Sequence, residues 1–313
     1  MIKTPKLLAT SSAMALAGLL AANSAAAAEL GDVKDPIKLA VLEWTGAQVS
    51  TQLAGMILEK AGYAVEYVPA GSFPQYSGLS DGTLSATVEI WSNNVGDIYP
   101  RALAAGDIEN IGSLGLETRE GWAYPRFMEE VCPGLPDWTA LKEPACAAAL
   151  ATTDTLPNGR LLDYPADWGS RSAEIIADND LPLTAIPAGS EGAMIAELRA
   201  AQATHSPLLL MFWGPHHVLA EIDLGWVEMP PCASDDPDKC VKLPEVEKVV
   251  WSGFADKWPA GYEILKSFQV TSSDQEKLMA AILEEGQPLE EVAAGWIDSH
   301  QDVWQPWVDA AVD

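Results

Sequence analysis

The sequence predicts an α/β protein of two lobes, each a mainly parallel sheet flanked by helices. Three observations predict it. Short apolar runs alternate with helix-length amphipathic runs, a βαβαβ order that argues for parallel strands covered on both faces. The alternation starts anew near Tyr124, after a first complete unit. The length that remains after an N-terminal leader, about 285 residues, suffices for two good cores.

The leader comes first. Lys3 and Lys6 form a positive start, Leu7 to about Ala22 is apolar, and Ser24-Ala25-Ala26-Ala27-Ala28 supplies small residues for cleavage. This is the pattern of a secretory signal peptide over residues 1–28. No cysteine precedes Cys132, so the cleavage region offers no thiol for a lipid. The expectation is a soluble protein of the periplasm.

Ile37–Leu42 then reads as a strand, and Gly46–Gly62 as a helix with Leu53, Met56 and Ile57 on one face. Tyr63–Val68 is a second strand, Phe73–Leu79 a helix, Ala86–Trp91 a third strand, and Asn94–Ala105 a helix. The second unit holds the segment Asp167–Asn179, a helix over Ser190–Gln202 and an apolar strand over Pro207–Trp213. After Pro230-Pro231 the chain reads as strand-poor and helix-rich, with helices at Ser272–Glu284, capped by Ser272-Ser273-Asp274, and at Pro288–Ser299. Such a C-terminal segment packs back on the first lobe. The expected division is 29–122 plus 229–313 for lobe 1 and 123–228 for lobe 2.

Removing residues 1–28 takes away two lysines and no acids, so the net charge of −27 becomes −29. Such a surface repels nucleic acid and anionic membranes. Cys132, Cys146, Cys232 and Cys240 suit disulfides in an oxidising compartment. Three connectivities are possible, and closeness in sequence favours Cys132–Cys146 and Cys232–Cys240. No C-x-x-C or H-x-x-x-H pair points to zinc. Asp235, Asp236 and Asp238 lack the EF-hand spacing and read as a solvated loop. No metal or cofactor is expected.

Four of the twelve tryptophans stand at strand or turn ends. Trp44, Trp91 and Trp213 follow or end strands, and Trp168 opens a helix after Pro165-Ala166-Asp167. A parallel sheet binds ligands beyond the carboxyl ends of its strands. Aromatic faces attract cations, by about 2 kcal/mol where water is excluded. Trp138, Trp226, Trp251, Trp258, Trp296, Trp304 and Trp307 read as core packing, and Trp122 lies near the crossover between lobes.

Val88-Glu89-Ile90-Trp91-Ser92-Asn93-Asn94, Ala166-Asp167-Trp168-Gly169-Ser170, Leu210-Met211-Phe212-Trp213-Gly214-Pro215-His216 and Gly295-Trp296-Ile297-Asp298-Ser299-His300-Gln301 occur in this order. Together they resemble the glycine betaine/proline betaine-binding proteins of ABC importers, and the related choline-binding proteins. The resemblance spans most of the mature chain. It implies a two-lobed periplasmic binding protein of type II-like fold, with ligand in the inter-lobe cleft. It implies a monomer that delivers to a permease and ATPase complex in the inner membrane.

In that family three tryptophans box the quaternary ammonium, and they match Trp91, Trp168 and Trp213. Trp44 matches an aromatic position of the choline-type members. For a ligand carboxylate, the resemblance places binding amides at Gly169 and Ser170. Gly46 and Ala47, opening the first helix, offer a second such site. Some betaine binders carry a histidine where Val95 stands here, and His216 or His217 are the candidates to replace it. Choline-type members place an acid where this chain has Gly46. Glycine betaine is the first expectation for the ligand, with trimethylamine N-oxide, dimethylsulfoniopropionate or choline as alternatives. A sensor that docks a membrane receptor is the competing class. A hydrolase using His216 or His217 is the third, and the chain has no H-E-x-x-H and no phosphate-binding glycine loop.

Overall fold

The computed structural model describes residues 30–229 and 244–312, together with Met1. The leader, Pro230-Pro231, the Cys232–Cys240 pairing and the loop with Asp235, Asp236 and Asp238 lie outside the described residues. Eleven strands are described: β1 Ile37–Val41, β2 Val65–Pro69, β3 Ala86–Trp91, β4 Ile108–Ser113, β5 Arg119–Pro125, β6 Pro133–Pro136, β7 Gly159–Asp163, β8 Leu183–Pro187, β9 Leu210–Gly214, β10 Leu224–Trp226 and β11 Val246–Trp251. All but β6 form two five-stranded sheets, in the orders β2-β1-β3-β11-β4 and β10-β5-β9-β7-β8.

The two-lobed architecture is present, but both sheets are mixed where mainly parallel ones were expected. In the first, β1 runs parallel to β2 and β3, while β11 runs antiparallel to β3 and β4. In the second, β7 runs parallel to β8 and β9, while β5 runs antiparallel to β9 and β10. The antiparallel strands are those that enter or leave a lobe. A strand arriving from the other lobe needs no βαβ crossover, and it is that crossover which enforces parallel direction. The boundary expected at residue 123 falls inside β5, which pairs wholly within the second sheet. The crossovers lie between Ser113 and Arg119 and between Trp226 and Val246.

Most helices form where the apolar period places them, at Thr45–Lys60, Pro74–Ser80, Glu191–Thr204, Ser272–Leu283 and Leu289–Ser299. The helix expected from Asn94 begins only at Ile98, after Gly96 takes a left-handed φ of 55°. The cap expected at Ser272-Ser273-Asp274 is supplied by Thr271, whose hydroxyl accepts from the Asp274 amide at 3.1 Å. A further helix, Gln301–Val312, follows with Pro306 inside it. These C-terminal helices pack with the first one around Leu53, Ile57, Met279, Ile297 and Trp304, in the core of the first lobe. Cys132 and Cys146 are bonded, with a Cα–Cα distance of 5.0 Å.

Candidate functional site

Local sequence brings the four tryptophans to the cleft. Trp44 stands in extended conformation directly before the Thr45–Lys60 helix, so its ring leaves the chain at a strand-to-helix step. Trp91 ends β3 and Trp213 lies in β9. Trp168 sits in the turn after β7. It does not open a helix: Gly169 takes a φ of 82°, and the helix starts at Ser172. At Gly169 an added Cβ would meet the Phe73 ring at 3.0 Å, a close approach across the lobes that glycine permits.

All four tryptophans line one cavity of about 490 Å³, measured with its open mouth. Trp168 is the hub. Its ring centre lies 5.3 Å from that of Trp44, 5.6 Å from Trp213 and 5.7 Å from Tyr164, at steep interplanar angles. Rings so inclined wall a pocket instead of filling it. Trp122 lies behind them, buried, donating its indole N–H to Ser172 Oγ. Trp258, Trp296 and Trp304 are buried elsewhere, in the first lobe's core.

Two buried carboxylates share the cavity wall, and sequence reasoning did not single them out. Glu89 and Glu120 are 1% and 6% exposed. Glu89 Oε1 accepts the indole N–H of Trp44 at 2.7 Å and that of Trp91 at 3.1 Å. Its Oε2 accepts from Ser50 Oγ and Gln275 Nε2 at 2.8 and 2.9 Å. Glu120 accepts from the Asn94 amide at 2.9 Å, the Tyr164 hydroxyl at 2.8 Å, and the Asn93 amide. Burial raises both carboxyls above the usual range, against the pull of these donors, and Asp163 adds to the rise at Glu120. Among the described residues no lysine, arginine or histidine lines the cavity. The signal for Glu89 was in the sequence: strand alternation puts it on the same face as Trp91. Glu120 and Tyr164 carried no comparable signal.

The other sequence candidates sit elsewhere. Gly169 and Ser170 line a neighbouring cavity, which shares Asn94 and Val95 with the first. Ser170 Oγ donates to Asp163 and accepts the Ser172 amide. Gly46 lies against the Gln275 side chain and Ala47 is buried in core, both outside the cavity lining. His216 and His217 also lie outside it. His216 is fully buried behind Trp213, with ring centres 4.9 Å apart. It accepts the Val218 amide on Nδ1 and therefore donates from Nε2 to Glu191, at 3.2 Å. Burial holds its pKa below the usual value, against the opposing pull of Glu191. His217 meets Glu284 at 2.8 Å. Gly78-Leu79-Ser80-Asp81-Gly82 has the spacing of a hydrolase nucleophile motif, yet Ser80 closes a helix where that motif needs a strand-to-helix elbow.

Several bonds cross the cleft. Thr45 donates its amide and hydroxyl to Glu191 Oε2 at 2.9 and 2.6 Å. Trp168 donates its indole N–H to Glu43 at 2.9 Å. Asn94 reaches Glu120, and Arg199 pairs with Glu284.

Two α/β lobes closed over an aromatic cavity define a solute-binding protein. The chain belongs to the family described as the substrate-binding domain of the ABC-type glycine betaine transport system, which matches residues 35–299. A trimethylamine N-oxide-binding protein of Pelagibacter ubique (strain HTCC1062) is 30% identical over 290 residues, covering 88% of this chain and 91% of that one. A glycine betaine/carnitine transport binding protein of Listeria monocytogenes is 27% identical over 121 residues, 38% of each chain. In fold, lactococcal OpuAC in its closed form with glycine betaine has a TM-score of 0.72 at 19% identity, covering 88% of this chain and all of that one. A choline-binding protein with choline has a TM-score of 0.72 at 18% identity, covering 88% and 92%.

Proposed function

We propose that the chain binds a small methylated ammonium compound that carries no carboxylate, trimethylamine N-oxide before glycine betaine, and delivers it to an ABC permease. One observation carries this reading: four tryptophans and two buried carboxylates line the cavity, and among the described residues no basic side chain does. The rings and the acids both favour a methylated ammonium. A ligand carboxylate, by contrast, would meet Glu89 and Glu120 with no cation to receive it. Neither Gly169-Ser170 nor His216 lines this cavity to serve as its partner. An N-oxide oxygen accepts hydrogen bonds instead, and the Asn94 amide and the Tyr164 hydroxyl line the cavity as donors.

Size agrees. The best small ligands gain about 1.5 kcal/mol per non-hydrogen atom. Micromolar affinity, about 8 kcal/mol, therefore requires nearly every atom of so small a ligand to touch the protein. A closed aromatic pocket provides that contact. The similarity to a trimethylamine N-oxide-binding protein over most of both chains supports the same choice. Choline, a cation with a hydroxyl and no carboxylate, is the second reading. Export by the leader over 1–28, life in the periplasm as a monomer, and a closed form read by the permease belong to this proposal. Among the described residues no helix is long and apolar enough to cross a membrane.

A thermal-shift screen against trimethylamine N-oxide, choline, glycine betaine and dimethylsulfoniopropionate tests the ligand class. The largest stabilisation is expected from trimethylamine N-oxide. A screen in which no methylated compound stabilises the protein overturns the reading.

A further inference from the structure

We propose that Glu89 is the buried counter-ion of the ligand's methylated ammonium and, by the same carboxylate, the strut that fixes the Trp44 and Trp91 rings. The inference deepens the methylated-ammonium reading above and rests on it. Glu89 is the one acid in a strand whose other members are apolar or hydroxyl-bearing, in the sequence Ala86-Thr87-Val88-Glu89-Ile90-Trp91. A buried carboxylate without a cation is costly, and proteins ordinarily pair it or neutralise it. Here no lysine, arginine or histidine bonds it; its four partners are Trp44, Trp91, Ser50 and Gln275.

Those partners decide its state. Two indoles and an amide nitrogen can only donate, and each is aimed at a carboxylate oxygen. A proton on Oε1 would displace an indole N–H, and only Ser50 Oγ could receive one from Oε2, so three of the four donors favour the anion against the burial that opposes it. The consequence is twofold. Both rings are held by their N–H edges on a single oxygen, which sets their faces relative to the cavity. An indole that donates to an anion is also polarised toward its ring, which strengthens the face that a cation meets. The charge that costs the empty protein stability becomes favourable when the ligand arrives with the opposite one. Gln275 extends the strut. Its Nε2 also donates to Ser50 Oγ and to the Gly46 carbonyl, at 3.0 and 3.2 Å, and so ties Glu89 to the C-terminal helices.

The test separates charge from shape. Glu89→Gln keeps an oxygen for the two indoles and removes the charge. Tetramethylammonium is the cationic probe and tert-butanol a neutral one of similar outline, with affinities read by calorimetry or ligand-detected NMR. Tetramethylammonium and trimethylamine N-oxide are expected to bind the variant at least tenfold more weakly, about 1.4 kcal/mol, while tert-butanol changes less than twofold. Equal losses for cation and alcohol, or undiminished cation binding, overturn the proposal. A second measurement needs no ligand. The indole N–H resonances of Trp44 and Trp91 in the wild type, assigned with Trp44→Phe and Trp91→Phe, are expected downfield of the solvent-exposed indoles. Positions among the exposed indoles overturn the strut. Wild-type protein that holds tetramethylammonium in a Glu89-dependent way but ignores trimethylamine N-oxide supports Glu89 and refutes only the N-oxide assignment.

Discussion

Trp168 touches Trp44, Tyr164 and Trp213 and crosses the cleft to Glu43, so its removal opens the cavity and breaks an inter-lobe bond at once. Trp168→Ala and Trp213→Ala are each expected to weaken binding at least tenfold in calorimetry. Trp304→Ala makes the contrast. Trp304 is 3% exposed, donates to the Ile297 carbonyl and lies in the first lobe's core. Its loss is expected to lower stability by about 3–5 kcal/mol in denaturant titration and to leave the affinity of the folded protein within about twofold. Equal effects of all three on binding would contradict the site. At this scale the tryptophans were legible because strand ends are legible: position alone marked Trp44, Trp91 and Trp213. Glu89 was overlooked because a glutamate inside a strand reads as a solvent-facing residue, and only the pairing of two sheets with the C-terminal helices buries it. His216 looked like a ligand residue for the opposite reason. It follows Trp213 in sequence, but its ring turns away to Glu191.

Two elements meet at the cleft end to end. The Thr45–Lys60 helix of one lobe begins at the carboxylate of Glu191, which itself begins the Glu191–Thr204 helix of the other. Burial opposes the charge of Glu191, but His216 and Thr45 outweigh it and hold this carboxyl below the usual range. An anion at the start of a 16-residue helix also meets the positive end of its dipole. Glu191→Ala is expected to favour the open lobes and to raise the dissociation constant about tenfold, with the cavity lining untouched. Small-angle scattering of the variant with ligand should show the more extended form; unchanged affinity and compactness would sink the latch.

β11, like β4 to β8 and β10, escaped sequence reading, in its case because Glu247 and Lys248 interrupt the apolar run. The interruption has a structural cause. The register slips between Glu247 and Val249, and Lys248 turns inward to donate to the Lys266 and Phe268 carbonyls at the end of the Pro259–Ser267 helix. Burial lowers its ammonium to about 8 from a usual 10.5. Between those values the unfolded chain holds the proton that the folded one has released, so this group makes stability rise with pH, by roughly 3 kcal/mol at most. Compared with Lys248→Met, the wild type should gain stability in urea between about pH 8 and 10. Parallel curves for the two proteins would show that Lys248 contributes no such slope. The last helix, Gln301–Val312, was missed because Pro306 reads as a breaker; the proline lies inside the helix, which continues through it.

Across the whole molecule the alternation of strands and helices sufficed to indicate two α/β lobes, yet not the direction of their strands. Direction depends on where the chain crosses between lobes, and that is long-range information which local periodicity does not carry. The ligand's class was legible in a similar, partial way. Methyl-bearing cation follows from rings at strand ends. Whether the ligand also brings a carboxylate depends on what lines the rest of the cavity, and among the described residues Glu89 and Glu120 line it while no basic side chain does. The central claim is therefore a ratio of affinities. Calorimetric titration of the purified protein with trimethylamine N-oxide and with glycine betaine, under one buffer at neutral pH, measures it directly. The account expects trimethylamine N-oxide to bind at least tenfold more tightly. Glycine betaine binding as tightly or more so would contradict it.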